Sequence, residues 1–488
     1  MPVFRPLVAC LLLCGVACPA ESPPRPNVLF IMADDLRPDL ASYGSLALTP
    51  NLDRLAKRGV TFQRAYCQQA VCHPSRSSLL TGRRPDSLEL WNNGTHFRER
   101  NPDVTTLPLW FKTHGYVTRC VGKIFHNWHT AEKGDRRSWS ADEFLHYANH
   151  GDDVPMVAGD LPPNVAAPNP RQYGKVPLCE GRDVPDDAYF DGRVATEAVR
   201  VMGEVRDKPF FLAVGFWKPH APFNAPKKYW DLYDRAKLPP LNPARPTGAP
   251  EVAFHDGREI RGLPPNQVTF TPEQVAEIRH GYFANISYMD AQLGKVLDAL
   301  DRRGLKDKTV IVFVGDHGYH VGEHSLWGKT SNFELDARVP LMIAAPGYQH
   351  SGKQTSSLVE LIDLFPTLID LCALPQPEGT QGTSLVPILK DPSASVKPAA
   401  FTQHPRPAYF DREPSKAPTT MGCSVRTTHL RYTEWRDWRT GETVARELYD
   451  HRTDPHELQN SVDSLSLAEA QREAESLLQK QFPKVEHR

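Results

Sequence analysis

The sequence predicts an α/β protein, a helix-covered sheet followed by a smaller α+β subdomain, on three observations. Three short runs rich in Val, Ile and Phe, residues 27–32, 210–216 and 309–315, have the length and composition of buried parallel strands. Helical patterns such as 50–58 and 273–302 lie between them, and alternating strands and helices argue for a sheet covered on both faces. From about residue 399 the pattern changes to shorter strand candidates, 423–426, 431–435 and 447–449, and a charged helix over about 466–481.

Taken in order, the chain begins with an export signal. Arg5 supplies a thin positive region, residues 7–16 an apolar run too short to span a bilayer, and Ala20 a cleavage position with Cys18 at −3. A buried first strand is the bland alternative, and the strand-like run starting at Asn27 argues against it. No later stretch is long enough for a transmembrane helix. The predicted division is a signal over 1–20, one large domain over 25–398 and a subdomain over 399–488. Residues 130–187 are polar, rich in Pro and Gly and weakly periodic, and read as surface excursions that shape a pocket. Lys+Arg is 57 and Asp+Glu 58, a net charge of −1, so no basic field recruits nucleic acid or an anionic membrane. Of nine cysteines, three (Cys10, Cys14, Cys18) fall in the signal and none forms a C-x-x-C pair, which argues against zinc fingers and thioredoxin chemistry. Cys67, Cys120, Cys179, Cys372 and Cys423 read as buried small hydrophobes with room for one bridge.

Each of the three strands runs directly into polar residues: Asp34-Asp35 after the first, Lys218-Pro219-His220 after the second, Asp316-His317 after the third. Open α/β sheets bind ligands beyond the carboxyl ends of their strands. Asp34, Asp35, Asp316 and His317 therefore form a candidate metal cluster, because adjacent carboxylates repel unless a cation lies between them. Oxygen ligands favour a hard ion such as calcium or magnesium, and His317 shifts that slightly toward softer ions. Cys72-His73-Pro74-Ser75-Arg76 is the sharpest signal. Pro74 and the run after it predict a helix start with Cys72 at its N-terminus, where free N–H groups favour an anion. A bare cysteine there would be a reactive thiolate. A tyrosine-phosphatase loop is excluded, since C-x5-R needs Arg at 78 and Ser78 stands there. Asn93-Gly94-Thr95 and Asn285-Ile286-Ser287 are glycosylation sequons, meaningful only in a eukaryotic host.

Cys72-His73-Pro74-Ser75-Arg76, continuing to Leu80-Thr81-Gly82-Arg83, resembles the signature of the formylglycine-dependent sulfatases. Gly122-Lys123-Ile124-Phe125-His126, Trp217-Lys218-Pro219-His220 and Trp327-Gly328-Lys329 are similar to that family's other active-site blocks. Asp183-Val184-Pro185-Asp186-Asp187, Met421-Gly422-Cys423-Ser424-Val425-Arg426 and Arg431-Tyr432-Thr433 resemble the iduronate-2-sulfatase branch. The resemblance implies an alkaline-phosphatase-like mixed sheet sandwiched by helices. It implies that Cys72 is oxidised to formylglycine by a formylglycine-generating enzyme. Asp34, Asp35, Asp316 and His317 would hold a divalent ion, by analogy calcium, with the modified Cys72 completing its shell. Arg76 and Lys123 would stabilise the hydrate; Lys123, Lys329 and His220 would grip the sulfate. His220 would protonate the leaving alcohol and His126 would help expel sulfate. The implied substrate is a 2-O-sulfated uronic acid in a glycosaminoglycan or related polysaccharide.

The chemistry is coherent on physical grounds as well. Sulfuryl transfer, like phosphoryl transfer, needs charge on three equatorial oxygens neutralised and a nucleophile placed in line. A gem-diol offers one hydroxyl to attack sulfur and a second whose deprotonation lets the carbon collapse to the aldehyde and expel sulfate. A serine has no such exit. Lys123, Lys329 and His126 are each unremarkable alone among 19 histidines and many surface lysines; their joint occurrence with Cys72 singles them out. Two alternatives stay open: a phosphate or phosphonate ester hydrolase on the same fold, and a catalytically silent carbohydrate- or metal-binding relative.

Overall fold

The computed structural model describes residues 25–126, 134–144, 178–255, 260, 270–348, 351–413 and 415–484. The predicted signal, with Cys10, Cys14 and Cys18, lies outside the described residues. So does most of the predicted pocket-shaping segment.

Among the described residues fifteen strands appear in chain order: β1 (Asn27–Asp34), β2 (Val60–Tyr66), β3 (Val117–Gly122), β4 (Cys179–Arg182), β5 (Phe210–Pro219), β6 (Phe223–Pro226), β7 (Thr309–Gly315), β8 (His320–Val321), β9 (Trp327–Gly328), β10 (Arg338–Ala344), β11 (Lys353–Glu360), β12 (Ala400–Arg406), β13 (Thr420–Arg426), β14 (Leu430–Asp437) and β15 (Thr443–Asp450). Seven make the main sheet in the order β11-β2-β10-β7-β1-β5-β3. Only β10 runs against the others, pairing antiparallel with β7 and β2. The three predicted strands are thus the adjacent parallel trio β7-β1-β5. Every residue of β1 is buried. Leu29, Ile31 and Ala33 enter one core and Val28, Phe30 and Met32 the other, which is why the sequence reads as a continuous apolar run. Helices Phe190–Val205 and Pro272–Arg302 cover the first face; helices Cys72–Thr81, Leu107–Thr113 and Leu364–Leu371 cover the second. The long helix opens one residue before the predicted 273, with Pro272 in its first turn and a Thr271–Gln274 capping box.

Four main-sheet strands escape a reading by periodicity. β10 carries Pro340, which donates no ladder bond; its register with β2 shifts between Val339 and Leu341. β3 and β11 are the edge strands of the sheet, and β2, β3 and β11 all mix polar with apolar residues without a regular period. Of the segment 130–187, read as surface excursions, residues 140–144 and 178–187 are exposed or half-buried as expected, and the reading is corrected at Asp135, Ser138 and Trp139, which are buried. Arg98 donates to both Asp135 oxygens at 2.7 Å, drawing that stretch inward.

β12-β13-β14-β15 form an antiparallel sheet against which helix Ala468–Gln481 buries Ala474 and Leu478. All six described cysteines are free, five of them buried. No described helix is long and apolar enough to cross a membrane.

Candidate active site

β1, β5 and β7 deliver their carboxyl ends to one point. Asp34 ends β1, and Asp35 follows in the left-handed region at φ +60°. Its N–H donates to Asp316 Oδ1 at 3.1 Å, and Tyr282 donates to its carbonyl at 2.8 Å, so the unusual turn is held from two sides. Asp316 and His317 extend β7, and β5 ends at Pro219, beside His220.

Helix Cys72–Thr81 points its N-terminus at this edge and is buried along its whole length. Its N-cap, Val71, has no side-chain acceptor. The acceptor comes instead from Asn93, whose Oδ1 takes the His73 N–H at 3.0 Å. Cys72 Sγ then lies 3.5 Å from Asp34 Oδ1, 3.3 Å from His317 Nε2 and 3.8 Å from Lys123 Nζ. Arg76, fully buried, ties the set together. It donates to Asp316 Oδ2 (2.7 Å), Asp34 Oδ1 (3.2 Å) and the carbonyls of Lys123 and Ile124 (2.6 and 3.2 Å). Lys123 follows β3, and its backbone hugs β5: a Cβ on Gly215 would fall 1.9 Å from the Lys123 carbonyl oxygen, so only glycine fits there. Lys123 Nζ reaches Asp34 Oδ2 at 2.5 Å and sits 4.0 Å from the Trp217 ring centre. Lys329 Nζ reaches Asp35 Oδ1 at 2.8 Å, and His220 Nε2 lies 3.8 Å from Asp35 Oδ2.

Asp34, Asp35, Cys72 and His317 each offer one ligand atom, all within 4.8 Å of one another. The donor set fits a divalent cation. His317 Nδ1 faces the Gly318 carbonyl at 2.9 Å, so it carries the proton and leaves Nε2 as a lone-pair donor toward the cluster. Asp316 stands at the margin. Its Oδ1 accepts from the Asp35 and His317 backbones, and its Oδ2, on Arg76, lies 3.6 Å from His317 Nε2. His126 is buried beside His73, ring centres 6.1 Å apart.

Burial alone would raise the Asp34 carboxyl, but Lys123, His220, Arg76 and Lys329 outweigh it and hold it well below the usual range. At Cys72 the balance reverses. Burial and then the Asp34 charge push the thiol up to about 12 against Lys123 and Lys329. The expectation of a reactive thiolate is therefore corrected: desolvation overrides the helix terminus. Cys72 itself is only 1% exposed.

Sequence reading missed several supporting residues. Asp191 accepts the backbone N–H groups of Trp217 and Lys218 at 2.8 and 2.9 Å, fixing the end of β5. Ser75 Oγ donates to the Asp316 carbonyl. Arg406, on β12, donates to the Thr330 carbonyl beside Lys329 at 2.9 Å. Ser75 stands inside the Cys72–Arg76 motif and Asn93 in a sequon, but neither signal announced these bonds. The Asn93 and Asn285 side chains are both buried, the latter with Nδ2 donating to Gly281 O at 2.7 Å.

A family model described as Sulfatase matches residues 26–373. The chain belongs to the sulfatase family. It is thus a sulfuric ester hydrolase on the alkaline-phosphatase-like fold. A second family model, described as N-sulphoglucosamine sulphohydrolase, C-terminal, matches residues 322–484. Among relatives of this sulfatase, iduronate 2-sulfatase from Mus musculus is 34% identical over 93% of this chain and 95% of its own. Phosphonate monoester hydrolase from Silicibacter pomeroyi superimposes with a TM-score of 0.76 at 24% identity, covering 95% of this chain and 96% of that one. A structure described as a complex with its substrate D-glucosamine-2-N,6-O-disulfate gives 0.73 at 21%, covering 94% and 98%.

Proposed function

We propose that this sulfatase removes the 2-O-sulfate of a uronic acid in a glycosaminoglycan or related polysaccharide, through a formylglycine made from Cys72. The observation carrying the sugar assignment is the near full-length likeness to iduronate 2-sulfatase. The formylglycine assignment is supported by the Cys72-His73-Pro74-Ser75-Arg76 motif and by the place of Cys72 Sγ among Asp34, His317 and Lys123. A formylglycine-generating enzyme would supply the conversion. The modified residue contributes the geminal hydroxyl pair whose chemistry is set out above.

In this reading Asp34, Asp35, Asp316 and His317, with residue 72, hold one calcium ion, which offsets negative charge on the sulfate oxygens. Arg76 fixes the position of residue 72 relative to Asp34 and Asp316. Lys123 and Lys329 bind the sulfate oxygens and stabilise charge in the transition state. His220 Nδ1 is committed to the Ala221 carbonyl at 2.6 Å, so its Nε2 is the atom placed to protonate the leaving alcohol. His126 assists the later release of sulfate. The reading keeps an export signal over 1–20, a catalytic domain over 25–398 and a subdomain over 399–488.

Desulfation of defined sulfated disaccharides tests the substrate. Sulfate release from a 2-O-sulfated terminal uronic acid is expected; release confined to glucosamine sulfates would overturn the assignment. A phosphonate or phosphate ester hydrolase is the second reading, favoured by the 0.76 superposition. Parallel assays of an aryl sulfate and an aryl phosphonate separate the two. Mass spectrometry of the Cys72 peptide, after expression with the maturing enzyme, addresses an inactive relative: an unmodified thiol would support it.

A further inference from the structure

Asp336 is a fully buried carboxylate outside the cluster. Its Oδ2 accepts from the Ser331 amide at 2.9 Å and the Ser331 hydroxyl at 2.6 Å. Its Oδ1 faces His320 Nδ1 at 2.7 Å. Its carbonyl takes the Gly318 N–H at 2.7 Å. One residue therefore fastens two segments of the same long loop, 318–320 directly after Asp316 and His317, and 331, two residues past Lys329.

The protons along this line can be placed. The His456 carbonyl only accepts, so His324 Nε2, 2.8 Å away, is the donor. Burial and then the neighbouring His320 push the His324 ring below its ordinary value, so its Nδ1 is the lone-pair nitrogen. That nitrogen accepts from His320 Nε2 at 3.3 Å. His320 thus stands between the Asp336 carboxylate, 2.7 Å from its Nδ1, and the His324 ring, 3.3 Å from its Nε2. Asp336 holds the loop at both ends, through His320 on one side and Ser331 on the other.

We propose that Asp336, with His320, is a positioning residue for sulfate binding: it holds the Lys329 segment at a fixed distance from His317. The inference rests on the reading of Lys329 as a sulfate ligand. Mature, metal-loaded full-length enzyme is compared with Asp336→Asn, Ser331→Ala and Lys329→Ala. KM for an aryl sulfate, Ki for inorganic sulfate and the thermal midpoint are measured for each. Asp336→Asn should raise KM and Ki together by roughly tenfold. Ser331→Ala, which keeps the backbone bond and the fold, should raise both by roughly threefold with its midpoint near that of the parent. If Asp336→Asn does not fold, Ser331→Ala decides. A lowered midpoint with unchanged KM and Ki in these variants, while Lys329→Ala raises Ki, would overturn the positioning role alone. An unchanged Ki in Lys329→Ala would remove both this inference and the Lys329 assignment.

Discussion

A thiol at a helix N-terminus between two lysines would ordinarily ionise with ease, yet the Cys72 sulfur lies 3.5 Å from Asp34 in a place almost closed to water. Cys72→Ala should abolish sulfate release while costing only about 1 kcal/mol of stability, the loss of one buried atom's contacts; kinetics and urea unfolding check the two halves. Asn93→Ala removes the borrowed cap of the same helix. It should cost about 0.5–2 kcal/mol and lower turnover, and a variant as stable as the parent would contradict the capping role. Single residues were legible where a local string carries them. The Cys72 motif, Asp34-Asp35 and Asp316-His317 are local strings, and their chemistry is written side by side. Asn93, Asp191, Ser331 and Asp336 act through bonds to residues made adjacent only by the fold, so no local string announces them.

At the scale of elements, the trio β7-β1-β5 and helix Pro272–Arg302 were legible because both of their faces, or one long stripe, are apolar without interruption. β2, β3, β10 and β11 were not, since polar residues interrupt the first, second and last without a period and Pro340 breaks the pattern of β10. The joints between elements are ionic. Burial alone would raise Glu360, on β11, but Arg84 and Lys397 outweigh it and bring it to about 2. A depressed carboxyl stabilises the fold above its unfolded value, near pH 4.5, and that stability is lost as pH falls toward 2. Urea midpoints should therefore drop between pH 4.5 and 2, and Glu360→Gln should flatten that slope while lowering stability at neutral pH. Arg431, on β14, donates to Glu457 at 2.7 Å and to Glu334 at 2.5 Å, and all three are largely buried. Arg431→Ala removes the cation the two carboxylates share, leaving Glu334 with Arg426 at 3.2 Å and Glu457 with His451 at 2.9 Å, and should cost about 3 kcal/mol, measured by thermal unfolding.

Across the whole molecule the C-terminal sheet is part of the site's frame. Gln403 N–H donates to the Gln68 carbonyl at 2.9 Å and Thr402 Oγ1 to the Cys67 carbonyl at 2.8 Å, just ahead of the Cys72 helix. Arg406 holds the Thr330 carbonyl, and Asn332 donates to Gly422 O at 3.1 Å. A chain ended at residue 398 should be inactive even if the main sheet forms, and a turnover assay on that fragment checks it. The same enclosure has a consequence in time. If residue 72 is converted as proposed, the converting enzyme must reach a sulfur that the finished molecule closes off at the start of a buried helix. Conversion and folding are then rivals for each newly made chain: one that closes early keeps its sulfur for life, correctly shaped and inert. The yield of working enzyme would follow which of the two is faster.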